Sequence, residues 1–461
     1  MQKGKKGFIL VAIILSCMLL FGIGIKIFIF TPNQAQALTE YNVEKNTEES
    51  FGEVATEHKE EWLLDLELIR TAYPEKAKGF YEHLSQKEWN EGIDELKEAI
   101  QEDKLSDLYI TYKINSLLAK TKILHISFQC GYMPDEYYFP IIPKRTDDGI
   151  YYLGGANKNY EAYLGCEIKN INGYSCDEIG EALDTLHPSE NMHQVEIMYA
   201  MCGISKDEMT YLGMTGEQND YMTIVTPEGN EEKVAITATK DPFDMEWVYY
   251  EDRYNQQWIS RSMPDNAFPN FWYKLDEENG VFYFNYSECQ DAETNGDPTM
   301  PYFREFTKDM MQNMRESDSK FSKLVVDLRY NHGGDSELVN RYFIRPYEDF
   351  LKQKKIYVLI GEETFSAGLD AANDLDAKFD VVFIGKETGG IVGGYTNQHF
   401  EQLEHTKSTI GYCKSEAIYP ELEKRKNQTI GKGIMPDYLI SDKFEDLSSD
   451  VDRAYEKVLV E

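Results

Sequence analysis

Lys355–Gly390 reads KIYVLIGEETFSAGLDAANDLDAKFDVVFIGKETGG and sets two apolar strands around a helix that opens at one serine, Ser366. Ile356–Ile360 is an almost wholly apolar run closed by Gly361, the pattern of a central parallel strand covered on both faces. After the loop EETF, the segment SAGLDAANDL is rich in Ala and Leu and lacks Pro, so the pattern predicts a helix with Ser366 at its N-terminus. Unpaired backbone N–H groups there favour an anion. Two roles fit such a serine: a helix N-cap, the commoner one, and a nucleophile.

Outward from this unit the same alternation continues. From about Phe282 the chain runs GVFYFNYSEC, a helix through MPYFREFTKDMMQNMRES, KLVVDLRYNHGG, a helix after Ser336, IYVLIG, the Ser366 helix and VVFIGKETGG. Strands alternating with helices indicate an α/β domain with a largely parallel sheet. The stretch from Asn42 to about Asp103 carries periodic apolar residues in a highly charged background, which predicts amphipathic helices. SDLYITYKINSLLAKT reads as a further helix, followed by the alternating ILHISFQCG, which places His125 on a strand. YYFPIIPKRTDDGIYYLGG predicts a hairpin turning at Asp147–Gly149, and YMTIVTPEGNEEKVAIT another turning at Pro227–Gly229. Between them, GCEIKNINGYSCDEIGEAL reads as a strand, an Asn-Gly turn and a helix.

Composition bounds the function classes. A chain of 461 residues with 42% hydrophobic and 13% aromatic content supports more than one domain and a sizeable core. The formal charge of −34 is spread along the chain, repels phosphate backbones and argues against a nucleic-acid partner. Gly7–Ile25 is an uninterrupted apolar run after Lys3, Lys5 and Lys6, long enough to span a bilayer with the N-terminus in the cytoplasm. The expectation is a single-pass cell-membrane protein with its catalytic part extracytoplasmic. Ala35-Gln36-Ala37 offers the alternative, a signal segment cleaved near Ala37 and a secreted product. The cysteines beyond this segment are scattered without a CxxC pair, which supports neither a zinc site nor a redox motif and predicts free buried thiols. GKETGGIVGG has the wrong residues and spacing for a phosphate loop.

A serine nucleophile needs a base and preorganised N–H donors for the oxyanion. Gly333-Gly334 ends a buried strand, where glycines allow close backbone approach or simply a tight turn. Asp327 and Arg329 read as a structural pair. Among the histidines, His125 between Leu124 and Ile126 reads from its neighbours as a half-buried core residue, and His332 and His405 compete with it by position.

Val325–Ser336 (VVDLRYNHGGDS), Thr364–Gly368 (TFSAG), Ile384–Gly390 (IGKETGG) and Gly431–Ile440 (GKGIMPDYLI) occur in an order and spacing that resembles the C-terminal processing (tail-specific) serine peptidase family. The resemblance covers about Phe282–Ile440, with LLAKTKILHISF and Gly165–Leu183 extending it. It implies an α/β fold with a crotonase-like, ClpP-like catalytic core, an N-terminal helical region and a degenerate PDZ-like module. The implied division is residues 1–37 as anchor or signal segment, 38–120 helical, 121–159 a strand and hairpin contributing to the core, 160–240 PDZ-like and 241–461 the peptidase core. The family's nucleophile falls on Ser366, and its oxyanion donors fall on the backbone of Gly333, Gly334 and Ala367. Its lysine does not carry over, because Ile391 follows Thr388-Gly389-Gly390 and Lys386 precedes Thr388. The branch resembling the tricorn protease core uses a histidine instead, and this falls on His125 as general base. That branch's orienting glutamate and serine fall on Ile430 and Leu124, which cannot serve, leaving Glu416 and Glu423 as nearby acids. The expected function is hydrolysis of peptide bonds in a peptide or protein substrate, with no metal or organic cofactor. The alternative is a non-catalytic peptide- or lipophile-binding protein on the same fold. Oligomeric state and cleavage preference are not legible.

Overall fold

The structure, a computed structural model, describes residues 55–461 apart from 192–202, 216–218, 241, 243–244, 252–257, 266, 448 and 450. The Gly7–Ile25 run, the Ala35–Ala37 site and Cys202 lie outside the described residues. Among the described residues, no helix is long and apolar enough to cross a membrane.

The apolar runs read from the sequence assemble into a six-stranded sheet in the order Phe271–Asp276, Val281–Tyr286, Lys323–Asp327, Lys355–Ile360, Val382–Gly385 and Tyr438–Leu439. The first pair is antiparallel and every later pair parallel. Alternate residues explain why the runs are continuous. Phe282, Phe284, Leu324, Val326, Ile356, Val358 and Ile360 pack with Met310, Met311, Met314, Leu369, Ala372 and Leu375 of the crossover helices. Val281, Tyr283, Val325, Tyr357, Leu359 and Ile384 face the other way, against Tyr455 and Val458 of the C-terminal helix Arg453–Val460.

Arg329 fastens this second layer. It reaches both Asp327, at the end of its strand, and Asp452, which caps the C-terminal helix, and Tyr283 donates to Asp327 at 2.5 Å. The carboxylates are almost fully buried, so the guanidinium is what makes their burial tolerable.

The charged N-terminal stretch forms helices Lys59–Lys76, Gln86–Gln101 and Asp107–Ala119. Trp62, Leu66, Trp89, Ile93 and Leu118 on them share a core with Phe128, Ile410 and Tyr412 of a three-stranded antiparallel sheet. Its strands are Ser127–Gln129, Thr409–Glu416 and Tyr395–Gln402.

A separate antiparallel sheet runs Ile141–Arg145, Tyr151–Asn157, Glu167–Ile171, Tyr221–Val225 and Glu231–Ala235, with Trp247–Tyr249 beside the second strand. The hairpin placed in the catalytic core by the sequence reading therefore pairs here, and of residues 121–159 only Ser127–Gln129 pairs with the strands beside the site. The Asn172-Gly173 turn has positive φ at both residues, 54° and 92°, as a type I′ turn requires. Cys130, Cys166, Cys176, Cys289 and Cys413 are free and buried.

Candidate active site

Ser366 leaves the Lys355–Ile360 strand through a loop that is pinned rather than loose. The Gly361 N–H donates to Thr364 Oγ1 at 3.0 Å, and Thr364 Oγ1 donates to the Leu328 carbonyl at 2.7 Å. The Phe365 N–H donates to the Asn331 carbonyl and the Gly390 N–H to the Thr364 carbonyl. These bonds tie together the loops that follow three neighbouring strands. At Ser366 the backbone takes φ +51° and ψ −124°, a strained conformation for a residue with a Cβ. The residue occupies the N-cap position of helix Ala367–Lys378, yet its side chain makes no capping bond.

The hydroxyl meets His125 instead: Nε2 lies 3.4 Å from Ser366 Oγ, joining residues 241 positions apart. His125 is not on a strand. It sits in a turn just before Ser127–Gln129, where the Ile126 N–H donates to the Ile123 carbonyl. Its ring stacks on Phe365 at 5.3 Å and its carbonyl accepts from Gln398 Nε2 at 2.9 Å, so side chain and backbone are both held. The residue is 8% exposed. Burial lowers the imidazole to about 4, against an opposing pull from the Tyr395 backbone, so at neutral pH it is uncharged and able to take a proton. Nδ1 is buried and makes no hydrogen bond of ordinary geometry, so the Tyr395 backbone supports the ring only weakly.

The glycine turn packs directly under the serine. A Cβ on Gly333, whose φ is +109°, would stand 2.8 Å from Ser366 Cβ and 3.0 Å from the Ala367 nitrogen. Buried Asn331 shapes the turn by accepting the Gly333 N–H on Oδ1 at 2.9 Å and donating Nδ2 to the Tyr286 carbonyl at 2.7 Å. The Gly333 amide is thereby occupied. Gly334 differs: its parallel bridge to Cys289 uses the flanking Gly333 carbonyl and Asp335 N–H, which leaves the Gly334 amide outside the pairing. Ala367 is the first residue of its helix, so its N–H has no intrahelical acceptor. Asn331 escaped the sequence reading, although a polar residue two positions before a buried glycine is the signal that would have found it.

The competing residues lie elsewhere. His332 is held between Glu363, 3.0 Å from Nε2, and Glu288, 3.4 Å from Nδ1. His405 is in the turn between the Tyr395–Gln402 and Thr409–Glu416 strands, its N–H donating to Asp65 of the first helix. Lys386 pairs with Asp147, Glu362 and Asp442. Glu416 pairs with Lys78 at the surface, and Ile430 is 64% exposed.

No protein-family model and no curated protein sequence matches the chain. Solved structures do. Mature CPAF complexed with lactacystin is 14% identical, covering 87% of this chain and 97% of that one at a TM-score of 0.58. A serine-to-alanine mutant of CPAF is 12% identical, covering 87% and 96% at 0.60. The photosystem II D1 C-terminal processing protease aligns over 86% of this chain and 98% of that one, but its TM-score of 0.38 is too low to support a shared fold. Over most of its length, then, the chain has the fold of mature CPAF.

Proposed function

We propose that this chain is a serine peptidase of the tail-specific type. Ser366 is the nucleophile and His125 the general base. The observation that carries the reading is the approach of Ser366 Oγ to His125 Nε2 at a strained strand-to-helix turn, with the hydroxyl not engaged in capping. In the reaction Nε2 takes the hydroxyl proton as Oγ attacks the scissile carbonyl, then returns it to the leaving amine. The Gly334 and Ala367 amides receive the oxyanion. Gly333 contributes by its lack of a side chain, which lets the turn approach the serine. The six-stranded sheet is read as the crotonase-like core and the antiparallel sheet from Ile141 to Tyr249 as the PDZ-like module that holds peptide beside it. The Gly7–Ile25 run would anchor the chain with the catalytic part outside the cytoplasm, or be removed near Ala37.

The test is labelling of the protein from about residue 38 by a fluorophosphonate, together with hydrolysis of unstructured peptides. Ser366→Ala is expected to abolish both. Because CPAF has been captured with lactacystin, that compound is expected to protect Ser366 from the label. Equal turnover by wild type and Ser366→Ala would leave the non-catalytic binding reading in its place.

A further inference from the structure

The proposed base has no acid bonded to it. An imidazole that accepts a proton at Nε2 must carry its own proton on Nδ1, and an acid on that side holds the tautomer and stabilises the imidazolium. His125 Nδ1 is buried without a hydrogen bond of ordinary geometry, and the Tyr395 backbone is what favours the protonated ring. A base whose strength burial alone has reduced to about 4 gains most from a nearby carboxylate.

The structure brings a buried acid to this place. Glu190 arrives from the segment after helix Cys176–Leu183, and its carboxylate accepts from the backbone N–H of Leu124, the residue before His125. It also lies over Gly394: a Cβ there would stand 3.1 Å from Oε1 and 3.3 Å from Oε2, so the missing side chain makes the space the carboxylate fills. Gly394 precedes Tyr395, whose backbone already acts on His125. Ile430 packs against the adjacent Gly393, where a Cβ would meet its Cγ2 at 2.8 Å. Glu190 therefore occupies the neighbourhood of the position that carries no acid in this chain. The neighbouring Asn191 donates Nδ2 to the Gly389 carbonyl at 2.7 Å, which anchors the segment against the loop beside the site.

Resting on the peptidase reading above, we propose that Glu190 is the residue that positions His125 and stabilises its protonated form, in the role that Ile430 cannot fill. It acts through the Leu124 amide and the Tyr395 backbone flank rather than by touching substrate. Burial raises its carboxyl to about 8, so ionisation of Glu190 would switch on full base strength at mildly alkaline pH. Cys413 on the Thr409–Glu416 strand and Tyr419 beyond that strand feel its charge. Burial pushes both Cys413 and Tyr419 far upward, so neither titrates in this range.

The experiment measures the rate of fluorophosphonate labelling at Ser366 against pH for wild type, Glu190→Gln, Glu190→Asp, Gly394→Ala and His125→Ala, with melting curves for each. Glu190→Gln is expected to label about 100-fold more slowly, in the range by which positioned proton transfer contributes, and to lose the rise in rate near pH 8. Glu190→Asp is expected to recover part of the rate, and Gly394→Ala, which crowds the carboxylate, to lose part of it. In a His125→Ala background, Glu190→Gln should change nothing further, since its effect passes through the imidazole. Wild-type labelling with an equal rate in folded Glu190→Gln overturns this inference alone, as does a further loss in the His125→Ala background. Labelling that is the same in wild type and Ser366→Ala overturns the peptidase reading and this inference with it.

Discussion

At Ser366 a φ of +51° costs a residue with a side chain about 1–3 kcal/mol, and the pinned loop around Thr364 is what holds it there. The same economy appears at His125, whose burial next to Phe365 depresses its imidazole to about 4. The acid side of kcat/KM is therefore expected to fall in two steps, a first near 8 as Glu190 takes up its proton and a second with a midpoint of about 4 as His125 does, well below an ordinary histidine; a second midpoint near 6.5 would show that another group supplies the base. The stability consequence has a definite sign. Between the ordinary histidine pKa and the folded value, the unfolded chain binds a proton that the folded chain does not, so stability falls as pH drops through this window. At pH 5 the loss from this one group is on the order of 2 kcal/mol relative to pH 7. A His125→Gln variant should lose correspondingly less of its melting temperature between those pH values, which calorimetry at both would check.

At the element scale, buried charges show which joints matter. Arg329 is the cation between Asp327 and Asp452, and Arg329→Met would leave two buried carboxylates facing each other, at a cost of about 3–5 kcal/mol. Denaturant unfolding should show that loss, and Asp452→Asn should lessen it, because one of the stranded charges is gone. The antiparallel unit carries a different strain. Glu136 and Glu208 lie beside His187 there, with Asp207 next to Glu208, and burial raises Glu136 to about 7 and Asp207 to about 6. A carboxyl raised on folding stabilises below its unfolded pKa, and that contribution is lost as pH rises through the folded value. Glu136→Gln should accordingly raise the melting temperature at pH 8 and leave it nearly unchanged at pH 4.5; equal shifts at both would place the strain elsewhere.

What the residues revealed before folding follows the same division. Runs such as Ile356–Ile360 were legible because both faces of that strand are covered, which leaves no polar residue in the pattern. The Ser366 turn was legible as a position and ambiguous as a role, since only the folded chain shows that its hydroxyl is not used for capping. The hairpin at Asp147–Gly149 was recognisable by its turn, but a turn does not say which sheet the strands join. Glu190 meets the Leu124 amide and Asn331 the Tyr286 carbonyl across long stretches of sequence, which no local spacing announces; only the Asn331–Gly333 bond leaves a local sign.

Over the whole molecule the proposed machinery is divided between structures with separate cores. Ser366 and the glycine turn belong to the six-stranded sheet. His125 is carried by the junction of the N-terminal helices with the three-stranded sheet. The proposed positioning acid comes from the segment following the antiparallel unit's helix. Such a site is assembled only when all three parts are in place, and the surface through which substrate approaches it belongs to a chain with a formal charge of −34. A field of that sign raises the encounter rate of cationic chains and lowers that of anionic ones. With a Debye length of about 10 Å at 0.1 M salt, the bias is screened as ionic strength rises. For two unstructured peptides sharing one cleavage sequence but flanked by lysines or glutamates, kcat/KM should favour the lysine form by on the order of 10-fold at low salt. The ratio should collapse towards unity by about 0.5 M salt while kcat for each stays nearly constant, because screening acts on encounter and not on the buried Ser366–His125 pair. A preference that survives high salt would instead locate the selection in direct contacts at the cleft, which screening does not reach.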